Sequence, residues 1–378
     1  MDLSYTPEEE AFRAKVRSWL AANAPTETPR NLDAMRAWQR KLQEGGLLGA
    51  AWPKEYGGAG LSEMEQAILN EEMALARAPG PVNQMAIWWV GPAIMKYGTE
   101  EQKKRFIPKI LNCDEIWATG YSEPASGSDM AAAKTRAERD GDFYVVNGQK
   151  VWTTLAHISD WYFVLVRTST EGPKWAGLTL LLMDLKSPGV QIKPIRQIDG
   201  GAEFNEVFMT DVRVPVSNRL GAEGQGWEIV SSALVNERSG IAGGIRADHS
   251  LEWIIATAKE RGKTSDPAVR QKIADLATKA SIMRCAGLRS LTDQLHDRMN
   301  PHLSAAMKLM GTSLVQEFSE TGISLIGPYG ALMDDEHAPY NGRWAKQYLG
   351  DRSMTIAGGT SEVQRNIVAQ RVLGMPRR

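Results

Sequence analysis

The segment GQGWEIVSSALVNERSGIAGG (224–244) sets a carboxylate on a helical stripe that is otherwise apolar. Trp227, Val230, Leu234, Glu237 and Ile241 recur at alternating steps of three and four, the spacing of one helix face. Burial penalises the charged form of a carboxyl group and raises its pKa. A Glu held in such a water-poor place is suited to accept a proton as a general base. The same Glu237 can also pair with a distant Arg or rotate to solvent, so the rest of the chain has to decide between these roles.

A second candidate for chemistry is GYSEPASGSD (120–129). Small side chains let the backbone approach a ligand closely, and successive N–H groups and hydroxyls can then hold an anionic group such as a phosphate. Alone this signal is weak, because Ser/Gly loops serve mostly as turns.

The elements that must position these residues fall into three blocks. The first reads helical. Thr6 can cap a helix with Pro7 at its first position and Glu9 at the capping-box position, and Phe12, Val16, Trp19 and Leu20 form the stripe behind it. Helical spacing recurs in 34–47, 61–76 and 100–111, and GAAWPKEYGGAG (49–60) breaks it with Pro and paired Gly. From about Ile116 the pattern becomes short β-rich runs: FYVVNGQKVWTT (143–154), DWYFVLVRT (160–168), GLTLLLMDL (177–185), VQIKPI (190–195) and NEVFMTDVRVP (205–215). Asn147-Gly148 is read as a hairpin turn, and the block as a small antiparallel barrel or sandwich. Helical spacing returns from Glu223 onward, as in Met307, Met310, Leu314, Val315 and Phe318. The expected fold is α+β, with a helical domain at 1–115, an antiparallel β domain at 116–222 and a helical domain at 223–378. Helices, then strands, then helices exclude the alternating pattern of a doubly wound dinucleotide fold, and no GxGxxG follows a strand.

Composition narrows the function classes. The 378 residues exceed one usual core, and 43% hydrophobic with 24% charged residues is ordinary for a globular protein. A formal net charge of −1 without a long basic run gives nucleic acid no electrostatic footprint. Two cysteines, Cys113 and Cys285, and five histidines without an HExxH pairing suggest neither a disulfide framework nor a protein-bound metal. No signal-peptide pattern and no membrane-length apolar run is present, so the expected location is the cytoplasm.

Taken together, YGTEEQKKRFIPKI (97–110), GYSEPASGSD (120–129), NGQKVWTT (147–154), EVFMTDVRVP (206–215), GWE (226–228), NER (236–238) and GGTSEVQRNIVAQRVLG (358–374) occur in the order and at the approximate separations found in the acyl-CoA dehydrogenase family. The chain closely resembles that family over nearly its whole length. The resemblance implies a flavoenzyme whose C-terminal domain is a four-helix bundle, with FAD between the β and C-terminal domains and its adenine end reaching a neighbouring subunit. It implies that Tyr121, Ser122, Gly127 and Ser128 line the flavin and its pyrophosphate, with Ser128 also near the CoA phosphates. Trp152 would pack on the flavin and Thr154 would bond near its N5, while Thr360 and Glu362 would approach the partner subunit's FAD. The substrate implied is an acyl-CoA, whose α-proton leaves to a base on one side of the acyl chain while a hydride leaves the β-carbon to flavin N5 on the other.

Two departures from the family pattern carry information. Many members place the base immediately before the GTS triplet, where this chain has Gly358. Another branch, which includes isovaleryl-CoA, long-chain and steroid side-chain dehydrogenases, carries it in an ER pair that Glu237-Arg238 matches. Glu237 is then the expected base, with Arg238 beside it at the substrate. Gly358 would supply a backbone N–H to the thioester oxygen and leave room for a bulky acyl group. The family's arginine-phenylalanine-glycine stretch is absent from a shortened 258–276, and GPYG (327–330) replaces its GGYG. Both regions normally hold the adenine half of FAD across an interface.

The expected partners are an electron-transfer flavoprotein as electron acceptor and further subunits, as a homodimer, a homotetramer or a complex with a paralogous chain. No nucleic acid or membrane is expected. The role expected is in fatty-acid or unusual-acid degradation, of β-oxidation type. The alternatives are a flavin-binding or scaffold subunit of a hetero-oligomer, or an oxidase or desulfinase on the same scaffold.

Overall fold

Helix formation at the N-terminus follows from its caps. In the computed structural model, which describes residues 5–235, 241–296, 298 and 303–376, helix α1 (Pro7–Asn23) opens on a reciprocal capping box. Thr6 Oγ1 accepts the Glu9 N–H at 3.2 Å, and the Glu9 carboxylate accepts the Thr6 N–H at 2.8 Å. Helices α2 (Leu32–Glu44), α3 (Glu63–Leu75), α4 (Gly91–Tyr97) and α5 (Glu100–Leu111) complete the block, and α3 and α5 carry capping boxes of the same kind. Val16, Leu20, Trp38, Leu42, Leu69, Ile94, Phe106 and Ile110 form its core. Buried Glu72 receives Arg13 at 3.0 Å and Arg17 at 2.8 Å, which pins α1 to α3. Just before α4, residues Ala86–Val90 wind as a π-helix, and the Trp52 indole N–H donates to the Ile87 carbonyl at 3.1 Å.

The β block is one sheet of β1 (Trp117–Gly120), β2 (Arg136–Asp140), β3 (Phe143–Thr154), β4 (Trp161–Arg167), β5 (Leu178–Asp184), β6 (Val190–Pro194), β7 (Phe204–Pro215) and β8 (Arg219–Leu220). The order is β6-β7-β3-β2-β4-β5-β8, with β1 beside β4. Most pairs are antiparallel, but β1/β4 and β2/β4 are parallel. Strands β4 and β5 are buried on both faces, which explains why they read as continuous apolar runs rather than alternating ones. Phe163, Leu165, Leu180 and Leu182 face the helical core, while Tyr162, Val164, Leu181 and Met183 face a second core with Val207, Met209 and Val212.

The Asn147-Gly148 hairpin expected from sequence does not form. Strand β3 continues through it with a register shift against β7 between Val146 and Gly148, and the Asn147 side chain bonds Asp211 across the sheet, donating at 3.0 Å to its carboxylate and accepting its N–H at 2.9 Å. The turn lies earlier: Asp140 pairs with Phe143 around Gly141, whose φ of +59° suits the glycine-first turn of a two-residue hairpin.

The C-terminal block contains α6 (Gly226–Val235), α7 (Ile241–Glu260), α8 (Pro267–Leu295), α9 (Leu303–Ile326), α10 (Arg343–Gly350) and α11 (Ser361–Ile367). Ile254, Leu276, Ala280, Leu314, Phe318 and Trp344 make its core. Tyr97 donates to Glu228 at 3.3 Å, and His249 Nε2 lies 3.0 Å from the Ala74 carbonyl, so the two helical blocks touch directly. No described helix is long and apolar enough to cross a membrane.

Candidate functional site

The loop after β1 is held by a buried ion pair. Glu123, only 8% exposed, accepts the Lys134 N–H at 2.7 Å, the Thr135 N–H at 2.8 Å and Lys150 Nζ at 2.9 Å. Lys150, fully buried on β3, also donates to the Tyr121 carbonyl at 3.2 Å, and the Val151 N–H donates to the Ser122 carbonyl at 3.0 Å. Burial acts to raise the Glu123 pKa, but the Lys150 charge and the bonded N–H groups outweigh it and hold the carboxyl below its usual range. Burial pushes Lys150 down to about 8, offset only in part by Glu123. With its base fixed, the loop presents Gly127 and Ser128 at an exposed tip, and a Cβ added to Gly127 would meet nothing within 4 Å. Ser126 Oγ is buried without a hydrogen-bond partner among the described residues.

Immediately beyond Lys150 the β3/β7 register slips, between Lys150 and Thr153. Trp152 takes up the slack at φ +61°, a backbone region that side chains other than glycine rarely occupy and that recurs where strain serves a site. Lys150 and Thr153 on either side point inward, and the Trp152 indole is thrown outward at 58% exposure with Phe204 at its edge, 6.2 Å between centroids. Thr153 Oγ1 and the buried Tyr162 hydroxyl share a 2.8 Å bond, and Thr154 pairs with Phe204 at the strand end. The structure therefore brings Tyr121 and Ser122 beside the strand that carries Trp152 and Thr154, with Gly127 and Ser128 at the exposed tip of the same loop.

The C-terminal motif stands on separate elements. Gly358 and Gly359 have φ of +63° and +85°, and Thr360 caps α11 by accepting the Val363 N–H at 3.2 Å. Glu362 is exposed and pairs with Arg365 at 3.3 Å. Eight residues before this motif, the end of α10 approaches the β block, where a Cβ on Gly350 would lie 3.3 Å from Asp199. Glu237 and Arg238 lie outside the described residues. Among the described residues no group of three His, Cys, Asp or Glu could hold a metal ion.

Sequence reading missed Glu123, Lys150, and the side chains that fix the glycine turn. One signal was present: Tyr144, Val146 and Lys150 fall on the same two-residue period, which sets a lysine on the buried stripe of β3.

Comparison with known proteins gives three adjoining matches along the chain. "Acyl-CoA dehydrogenase, N-terminal domain" matches 6–114, the middle domain 118–212 and the C-terminal domain 224–373. Acyl-CoA dehydrogenase IpdE1 of Mycobacterium tuberculosis is 39% identical, covering 97% of this chain and 98% of the relative. Among solved structures, one described as "Tcur3481-Tcur3483 steroid ACAD" superposes with a TM-score of 0.90 at 32% identity and full coverage of both chains. The ChsE4-ChsE5 complex from Mycobacterium tuberculosis superposes with 0.87 at 34% identity, also with full coverage of both.

Proposed function

This chain belongs to the acyl-CoA dehydrogenase family and is an oxidoreductase of that kind, and from that premise we propose that it oxidises an acyl-CoA to the trans-2-enoyl-CoA with FAD, using Glu237 as the α-proton base. FAD, when bound, would supply the two-electron acceptor for the β-hydride. The observation that carries this reading is the locked 121–128 loop beside the outward-turned Trp152. A flat exposed indole next to an open turn of small residues fits a ring system that bears phosphates. The chain's own work is then to hold the cofactor and thioester through Tyr121, Ser122, Gly127, Ser128, Trp152 and Thr154, and to take the proton at Glu237. Arg238 is assigned to the substrate, and Thr360 and Glu362 to a partner subunit's FAD.

Gly358 supports a substrate wider than a straight chain, since an added Cβ there meets nothing within 4 Å. A neighbour described as a steroid dehydrogenase favours ring-bearing acyl groups. The decisive experiment titrates the purified yellow protein anaerobically with linear, branched and ring-bearing acyl-CoAs. Bleaching of the flavin with a product two hydrogens lighter is expected, and an electron-transfer flavoprotein should restore the colour. A protein without flavin, or flavin that no thioester bleaches, removes the reading.

A second reading, a subunit working with a paralogous chain, is favoured by the two-chain descriptions of both solved neighbours and by exposed Ile356 and Leu373 flanking the C-terminal motif, each 65% exposed. Stoichiometric, reducible flavin in the chain purified alone would argue against it.

A further inference from the structure

The hairpin loop between β4 and β5, residues 168–177, is fastened to the small-residue loop that follows β1. Arg167, at the end of β4, spends its guanidinium on main-chain oxygens. Its Nε donates to the Ala133 carbonyl at 2.8 Å, and its Nη2 donates to the Ala131 carbonyl at 2.8 Å and to the Lys174 carbonyl at 3.0 Å. Lys174 Nζ then donates to both carboxylate oxygens of Asp129, at 2.8 and 2.6 Å. At the neck of the hairpin the Thr168 N–H donates to the Gly177 carbonyl at 2.9 Å, and a Cβ on Gly177 would collide with the Ser169 oxygen, so the two sides are tightly closed. Trp175 follows Lys174 in the chain and Asp129 follows Ser128, so this ion pair sets Trp175 close to the tip that carries Gly127 and Ser128.

Nothing in this fastening covers the indole. Of the four tryptophans in the β block, Trp117 and Trp161 are buried, Trp152 is turned outward beside the proposed flavin site, and Trp175 stands 49% exposed. It pairs with no aromatic ring and no cation among the described residues. A large flat apolar face is thereby held in water on an anchored loop, where a second ring can lie against it. Lys174 has an electrostatic effect as well, because it cancels an Asp129 charge that would otherwise repel a phosphate at the tip.

We propose that Trp175 is a stacking platform for the adenine of the acyl-CoA, so that the β4–β5 hairpin grips the substrate at its nucleotide end, away from the reacting carbons. The inference rests on the acyl-CoA dehydrogenation proposed above, in which Ser128 meets the phosphates. Adenine is joined through its ribose to those phosphates, and a purine stacks on an aromatic side chain through its π-face without needing a particular set of hydrogen bonds. Lys174 is a positioning residue in this arrangement, since it ties the hairpin to the tip and keeps Asp129 neutralised.

The test compares ligands that share or lack the nucleotide: CoA, adenosine 3′,5′-bisphosphate and pantetheine, each titrated calorimetrically into the flavin-loaded protein. Wild type should bind CoA more tightly than pantetheine, and the bisphosphate should compete with CoA. Trp175→Ala should weaken CoA and the bisphosphate by about tenfold, within the range that stacking a base on an aromatic ring supplies. Pantetheine binding should be the same in both proteins, and Trp175→Phe should recover most of the CoA affinity because it restores a ring. CoA affinity undiminished in Trp175→Ala overturns the inference and leaves the acyl-CoA reading standing. An equal loss for pantetheine also overturns it, since Trp175 would then act only by shaping the loop. A wild-type protein that binds no CoA overturns the inference together with the reading beneath it.

Discussion

At the scale of single residues, Glu237 and Ser128 carry the proposed proton transfer and the proposed phosphate contact. Glu237→Gln keeps size and hydrogen bonding while removing the proton acceptor, so FAD should stay bound while anaerobic stopped-flow shows flavin reduction slowed by about 10²–10⁴, the worth of a positioned general base. Retention of more than about a tenth of the wild-type rate lies outside that range and removes Glu237 from the role. Ser128→Glu sets a negative charge at the exposed loop tip where phosphates are expected. Titration of flavin and acyl-CoA should show both binding at least about tenfold more weakly, equivalent to about 1.4 kcal/mol. The small-residue loop around Ser128 and the strand of Trp152 were legible because loop chemistry and β-rich runs survive in linear order. The strained backbone of Trp152 was not, because its φ of +61° arises from a register slip against β7, a partner more than fifty residues away.

At the scale of elements, β3 is where prediction and misreading meet. Asn-Gly is a strong turn signal in isolation, yet cross-strand bonds from Asn147 to Asp211 outweigh local preference, and the glycine-first pair Gly141-Asp142 makes the turn instead. The helices were legible for the opposite reason, since the Thr6 and Thr99 caps are satisfied within four residues. Lys150 welds β3 to the loop. Lys150→Met should cost about 3–5 kcal/mol in urea unfolding by stranding a buried carboxylate, and should lower flavin content as well. Because Glu123 is held below its usual pKa, its contribution is present above the ordinary carboxylate range and lost as pH falls through its folded value, so the gap between wild type and variant should narrow in acid.

Asp351, where α10 runs into the turn toward Gly358, behaves oppositely. Burial pushes its carboxyl up to about 6, with Ser319 and Arg352 offsetting this only in part, and Oδ2 has no hydrogen-bond partner among the described residues. The folded state then binds that proton more tightly than the unfolded chain, so the contribution is full below the ordinary Asp value and is lost as pH rises through about 6. Asp351→Asn should therefore stabilise the protein by roughly 2 kcal/mol at pH 8 and scarcely at all at pH 4, read by urea unfolding at each pH.

At the scale of the whole molecule, uncovered apolar residues occur in all three blocks, and four of them, Ile356, Val372, Leu373 and Met375, all at least half exposed, lie toward the C-terminus. A second subunit over this surface would cover them and bring a neighbouring cofactor to Thr360 and Glu362. Ile356→Lys with Leu373→Lys should shift the particle to a single chain in light scattering and reduce FAD retention, whereas an unchanged mass would place the contact elsewhere. Spacing and periodicity carry no record of such a contact, since it depends on surfaces that fold first. The π-helix at Ala86–Val90 has a consequence of another kind. Its Gly91 N–H reaches back to the Ala86 carbonyl, one residue farther than an α-helix allows, and the backbone of Gly91 lies so close to Trp52 that a Cβ there would sit 2.2 Å from the indole ring. The extra residue is trapped like a spare link between two fixed posts. Removing a single codon within 86–90 would let the segment rewind as ordinary helix and swing Trp88, now 41% exposed, through about 100° without disturbing α4. Gene length, rather than side-chain chemistry, would then set which aromatic face this junction of three blocks turns outward.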